Sequence, residues 1–96
     1  IVEYVPDGVV NKTVLKKPTG KIDIVSYDTG KGLTGKVYPF DTFVLLLEGS
    51  AEIIIDKKVN EVHAFQGIVI PAHSTFTIKA IERFKMLSIT VKSGYE

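Results

Sequence analysis

Few side chains in this 96-residue sequence can do chemistry, and they are scattered. The chain has no cysteine, which removes thiolate metal ligands, cysteine nucleophiles and disulfides together. His63 and His73 are its two imidazoles. With Asp41 they would make a three-ligand metal site, if the chain brought all three to one point. A second grouping, Lys36, Tyr38 and Asp41, is compact in sequence. A lysine or phenol beside a carboxylate can pass a proton to and from a substrate, as an isomerase or epimerase requires. No second carboxylate and no histidine stands beside that trio to support it.

Short strands must position these groups, because helical periodicity is nearly absent. No long segment carries apolar residues at i, i+3, i+4 and i+7 without interruption by Gly, Pro or a β-branched run. Instead, β-branched and aromatic stretches recur between turn signals, the pattern of an all-β barrel or sandwich. The sequence predicts strands over residues 9–15, 22–27, 35–38, 43–48, 51–55, 59–64, 68–70, 75–80 and 84–91. Between them lie Lys17-Pro18-Thr19-Gly20, the loop Asp28 to Gly32, Gly49-Ser50, Asp56-Lys57-Lys58, Gln66-Gly67, Pro71 to Ser74 and Ile81-Glu82-Arg83. Repeats, linkers and low-complexity stretches are lacking, so residues 1–96 read as one domain. The run Phe43 to Leu47 is apolar on both faces and needs cover on both. A second copy of the chain is the expected cover, giving a homodimer.

Composition narrows the partners. Hydrophobic residues make up 45% and charged residues 24%, a globular balance rather than a disordered one. Twelve basic residues against eleven acidic ones leave a net charge of +1, so no overall field draws the chain to nucleic acid or an anionic membrane. Lys12, Lys16, Lys17 and Lys21 cluster without interleaved aromatics and read as a solvated face. No apolar run approaches the ~20 residues that span a bilayer. The chain opens on Ile1 rather than Met, and further residues are expected before it. A soluble cytoplasmic protein is the expectation.

Two stretches carry a family resemblance. Gly32-Leu33-Thr34-Gly35-Lys36-Val37-Tyr38-Pro39-Phe40-Asp41, followed by an apolar strand ending Leu47-Glu48-Gly49-Ser50-Ala51-Glu52-Ile53, resembles the first motif of the cupin superfamily. Gln66-Gly67-Ile68-Val69-Ile70-Pro71-Ala72-His73-Ser74-Thr75-Phe76 resembles the second. The flanking segments Tyr4 to Lys17 and Ala80 to Leu87 are similar to those of small single-domain bacterial cupins of the conserved-barrel type. The resemblance implies a cupin-type antiparallel β-barrel, a jelly-roll-like double-stranded β-helix with little or no helix. It places Gly49 and Gly67 at hairpin corners, where positive φ is expected, and Pro71 where the chain re-enters the barrel.

A typical metal cupin supplies two histidines and a glutamate from the first motif and one histidine from the second. Here the histidine pair falls within Gly35, Lys36, Val37 and Tyr38, the carboxylate at Asp41 or Thr42, and the last histidine at Phe76. Lysine repels a divalent cation and phenylalanine has no lone pair, so neither metal nor any other cofactor is expected. His73 lies three residues before Phe76, an odd offset that points it to the other face, and His63 ends a strand. Both read as surface or loop histidines.

The lumen set expected from alternation is Lys36 or Val37, Tyr38, Asp41, Phe43, Leu45, Phe76, Ile78 and Met86. Of these, Lys36, Tyr38, Asp41, Phe76 and Met86 are the candidate ligand-binding residues. Two readings stand. Lys36, Tyr38 and Asp41 gather with Phe76 at the mouth of a mostly apolar pocket for a small organic molecule, such as a carboxylate or sugar. Alternatively, Phe76 fills the space of the metal, Lys36 pairs with Asp41, and the barrel is a packed scaffold. The expected function is therefore a non-catalytic, metal-free cupin that binds a small organic ligand or serves as a dimeric interaction module. The alternatives are a metal-dependent dioxygenase or isomerase, and a metal-independent isomerase or epimerase built on Lys36, Tyr38 and Asp41.

Overall fold

The computed structural model describes residues 3–92, so the ends of the 1–96 span lie outside the described residues. Among the described residues, nine strands follow one another without a helix: β1 (Val9–Lys17), β2 (Gly20–Tyr27), β3 (Gly32–Val37), β4 (Asp41–Glu48), β5 (Ser50–Ile55), β6 (Lys58–His63), β7 (Gly67–Ile70), β8 (Thr75–Lys79) and β9 (Phe84–Val91). They form a five-stranded sheet in the order β1-β2-β9-β4-β7 and a four-stranded sheet in the order β3-β8-β5-β6. Every pairing is antiparallel. The two sheets share one core, with Val25, Val44, Leu46, Phe84 and Met86 on one side and Ile53, Phe76 and Ile78 on the other. Tyr27 stacks on Phe84 with ring centroids 4.7 Å apart. This is the all-β, jelly-roll-like barrel that the sequence predicts.

Three local expectations are corrected. Strand β3 starts at Gly32, not Gly35. Gly35 lies inside the strand, at a bulge between Leu33 and Lys36 where φ is +59°. A glycine that reads as a strand start is thus the extra residue of a bulge. Gly67 needs no positive φ; Phe65, two residues earlier, takes it at +68°. An added Cβ at Gly67 would meet the Phe43 ring on the neighbouring strand.

The third correction concerns β4. Thr42, Val44 and Leu46 are buried, whereas Phe43 is 38% exposed and shares with Leu45 the outer face. Side chains alternate with a period of two, so a phase error of one residue exchanges the faces. In Val44-Leu45-Leu46-Leu47 both faces are apolar, and hydrophobicity cannot set the phase. The pairing with β9 and β7 does.

Candidate functional site

The inner face of the five-stranded sheet is graded from polar to apolar, and strand register creates the gradient. Strand β2 presents Lys21, Asp23, Val25 and Tyr27 on one side; β9 presents Thr90, Ser88, Met86 and Phe84 directly opposite them. Strand β4 continues the rows, with Thr42 opposite Thr90 and Val44 opposite Ser88. Strand β1 sets Thr13 opposite Asp23. One row therefore reads Lys21, Thr90, Thr42 and the next Thr13, Asp23, Ser88, Val44. Beyond them the face becomes hydrocarbon and aromatic.

A cavity of about 270 Å³ occupies this gradient. Its polar end is formed by Lys21, Asp23, Thr42, Ser88, Thr90 and Lys92, and Asn11 lines the cavity further in, opposite Val25. Val25, Phe76, Ile78 and Met86 make the apolar floor, and Tyr38 and Phe40 come from the segment joining β3 to β4. The floor is closed and the mouth is open: Phe76 is 2% exposed, Tyr38 is 40% exposed. The Tyr38 ring meets Phe76 edge-on at 5.0 Å.

The buried carboxylate at the polar end is held on both oxygens. Thr13 donates its hydroxyl to Asp23 Oδ1 at 2.8 Å, and Lys21 Nζ lies 3.3 Å from Oδ2. Such a group stays charged away from water only when paired in this way. Lys92 Nζ sits 5.6 Å from the centre of the Phe40 ring. Burial, with a smaller contribution from charge on Tyr38, pushes the Tyr27 hydroxyl up to about 12. Tyr27 therefore remains a neutral phenol at neutral pH. One polar group is left over: among the described residues, Thr42 Oγ1 is a buried side-chain oxygen with no hydrogen-bond partner.

Of the five residues expected to line a pocket, Tyr38, Phe76 and Met86 do. Lys36 and Asp41 do not. Lys36 stands opposite Phe76, yet β3 is a sheet edge and the lysine side chain stays exposed there. Asp41 precedes Thr42 and so faces the opposite way; its Oδ1 accepts the Ala72 N–H at 2.8 Å, tying β4 to the loop after β7. The structure thus does not assemble Lys36, Tyr38 and Asp41 in the cavity. His63 lies 2.9 Å from Glu61 with both side chains mostly exposed, and His73 occupies the β7–β8 loop with φ +67°. Neither lines the cavity.

The positions of a metal cupin's ligands can now be judged on their donors. Tyr38, Thr42 and Phe76 meet the lumen, and Lys36 stands outside it. Among the described residues no group of three or more His, Cys, Asp or Glu is placed to hold a metal. A phenol, a hydroxyl and a phenyl ring do not make a site for Fe, Mn, Ni or Zn, so the residues do not fit the family's metal.

Sequence reading missed the polar row. The sequence places Lys21 on a solvated lysine face; Lys12, Lys16 and Lys17 are exposed, but Lys21 lines the lumen. The signal was present as alternation: Lys21-x-Asp23-x-Val25-x-Tyr27, and Ser88-x-Thr90-x-Lys92. Nothing in either run alone says which alternate faces inward.

Comparison with known proteins agrees with the architecture. Neither a family model nor a curated protein matches the chain. Solved structures do. A conserved protein of unknown function from Streptococcus pyogenes is 34% identical, with a TM-score of 0.85 over 90% of this chain and 75% of that one. A cupin superfamily protein from Desulfitobacterium hafniense is 28% identical, with a TM-score of 0.90 over 94% of this chain and 83% of that one. A cupin 2 conserved barrel domain protein from Leptotrichia buccalis is 34% identical, with a TM-score of 0.91 over 95% of this chain but 44% of its own. With two antiparallel sheets around one lumen, and these neighbours, the chain has the fold of the cupin superfamily.

Proposed function

We propose that this cupin is a metal-free, non-catalytic protein that binds a small organic molecule in its lumen, and that it does so in the cytoplasm. The cavity carries the reading: about 270 Å³ of space joins a closed apolar floor to a row of polar side chains. Enclosure of hydrocarbon with a few convergent polar groups is the usual build of a small-ligand site. At ~30 Å³ per water, the space suits a molecule on the order of ten non-hydrogen atoms. An acid–base enzyme built on Lys36, Tyr38 and Asp41 is less favoured, since Tyr38 alone of the three reaches the cavity. The metal-dependent dioxygenase or isomerase lacks donors.

Native mass spectrometry of freshly purified protein, with a melting-temperature screen of small acids and sugars, tests this. A bound small molecule or a melting shift is expected, and Ser88→Phe, which fills the cavity wall, should abolish it while the circular dichroism spectrum is kept. Stoichiometric Fe, Mn, Ni or Zn surviving dialysis would overturn the metal-free reading.

A specific feature favours a second copy of the chain as partner. On the outer face of the five-stranded sheet, Leu15, Ile22, Ile89, Phe43 and Val69 are register partners in sequence, one apolar row across all its strands. Ile24, Leu87 and Leu45 form a second row beside it. Val69 is 54% exposed. Contiguous apolar surface of this kind marks an interface. Sedimentation at micromolar concentration should give twice the chain mass, and Phe43→Lys with Val69→Glu should give a folded monomer. A monomeric parent protein would refute the dimer.

A further inference from the structure

We infer that the lumen is specific for a small monocarboxylate that also carries a hydroxyl group, its carboxylate toward Lys92 and Lys21 and its hydroxyl at Thr42. The inference rests on the lumen being a binding site and names what it binds. Charge in the lining comes first. Two lysines, Lys21 and Lys92, face one carboxylate, Asp23, and Lys21 is already its partner. The lining thus carries one positive charge beyond its internal pair, which a single anionic group balances. No arginine is present to hold a phosphate dianion by two parallel bonds.

Geometry places that charge. Lys92 follows Thr90 by two residues and lines the same wall, and Thr90 is the register partner of both Lys21 and Thr42. Neighbouring strands are ~4.8 Å apart, so the lysine and threonine groups of this row lie within reach of one small molecule.

Thr42 supplies the independent observation. Thr42 lines the cavity, and its hydroxyl oxygen is buried and lacks a hydrogen-bond partner among the described residues. A buried hydroxyl without a partner is unfavourable, and valine would occupy the same volume without that penalty. A ligand hydroxyl completes it, donating to Thr42 Oγ1 or accepting from it. Ser88 and Thr90 offer further hydroxyls on the same wall. Val25, Phe76 and Met86 line the floor beside Asn11 and Tyr27, which sets a short hydrocarbon stem against those three side chains.

The test is calorimetric titration of the full chain with four probes: lactate, propionate, lactamide and inorganic phosphate. Lactate should bind best. Propionate, which lacks the hydroxyl, and lactamide, which lacks the charge, should each bind about tenfold more weakly, the scale of one hydrogen bond lost. Lys92→Met should weaken lactate by about tenfold and leave lactamide unchanged. Thr42→Val should abolish the preference for lactate over propionate while raising the melting temperature by about 4 °C; Thr42→Ser should restore the preference. Equal binding of lactate and lactamide, preference for phosphate, or no binding of lactate at millimolar concentration overturns the hydroxy-acid assignment. If another small molecule still binds and Ser88→Phe blocks it, the lumen reading survives that failure. If lactate binds equally well to Ser88→Phe, the lumen reading fails with it.

Discussion

Gly49→Ala should cost about 3–5 kcal/mol of stability, at the severe end for a single added methyl. Gly49 is the one residue between β4 in the five-stranded sheet and β5 in the four-stranded sheet. Its φ of +81° lies in the left-handed region, where an L side chain alone costs about 1–2 kcal/mol. Space adds to the penalty, because an added Cβ would collide with the Arg83 carbonyl oxygen and crowd Phe84. Phe84 cannot yield easily: it is fully buried and stacked on Tyr27. For a domain whose total stability is about 5–15 kcal/mol, the loss is a large share. Gly35→Ala is the matched control. It has φ +59° but nothing within 4 Å of the added Cβ, so it should cost about 1–2 kcal/mol. Urea unfolding midpoints of the two variants check this; equal losses would show that the corner relaxes around the methyl group.

Phe76→Ala should cost about 3–5 kcal/mol and enlarge the cavity. Phe76 is a buried lining residue on β8, in contact with Tyr38 and in the place where the family resemblance puts the last metal ligand. Its removal also separates the two readings of this ring. If Phe76 is the floor of an open lumen, the variant should keep the ligand specificity of the polar end and additionally bind small aromatic probes such as benzene. If Phe76 is a plug, ligand affinity should appear only when the ring is removed. Chemical denaturation gives the stability loss, and titration of parent and variant gives the binding result. Phe76→His is expected to gain no metal, since Lys36, Tyr38 and Thr42 remain at the other ligand positions.

Much of the architecture was legible in the residues. Turn signals such as Gly49-Ser50 and Pro71 to Ser74 bound β-branched runs closely enough to recover every strand, because glycine and proline act locally. The motif glycines made the cupin resemblance readable for the same reason. Within the site, Tyr38, Phe76 and Met86 were legible, the first two because a motif numbers them. Lys36 and Asp41 were misplaced. A bulge at Gly35 and an exposed sheet edge decide the first, and the phase of β4 decides the second.

What this sequence by itself determined is the all-β barrel, its succession of short strands, and the absence of histidine from Gly35 to Tyr38 and from Phe76, where the family resemblance expects it. These follow from residue identity and from conformational preferences acting over a few positions. Only the tertiary structure decided what the lumen offers instead. Lys21 and Asp23 on β2 meet Ser88 and Thr90 on β9, and Thr42 on β4 joins them, through pairings between strands far apart in the chain. Alternation says that Lys21, Asp23, Val25 and Tyr27 share a face; it cannot say that the face is the inner one. Burial against the opposite sheet sets that phase, and burial belongs to the folded whole.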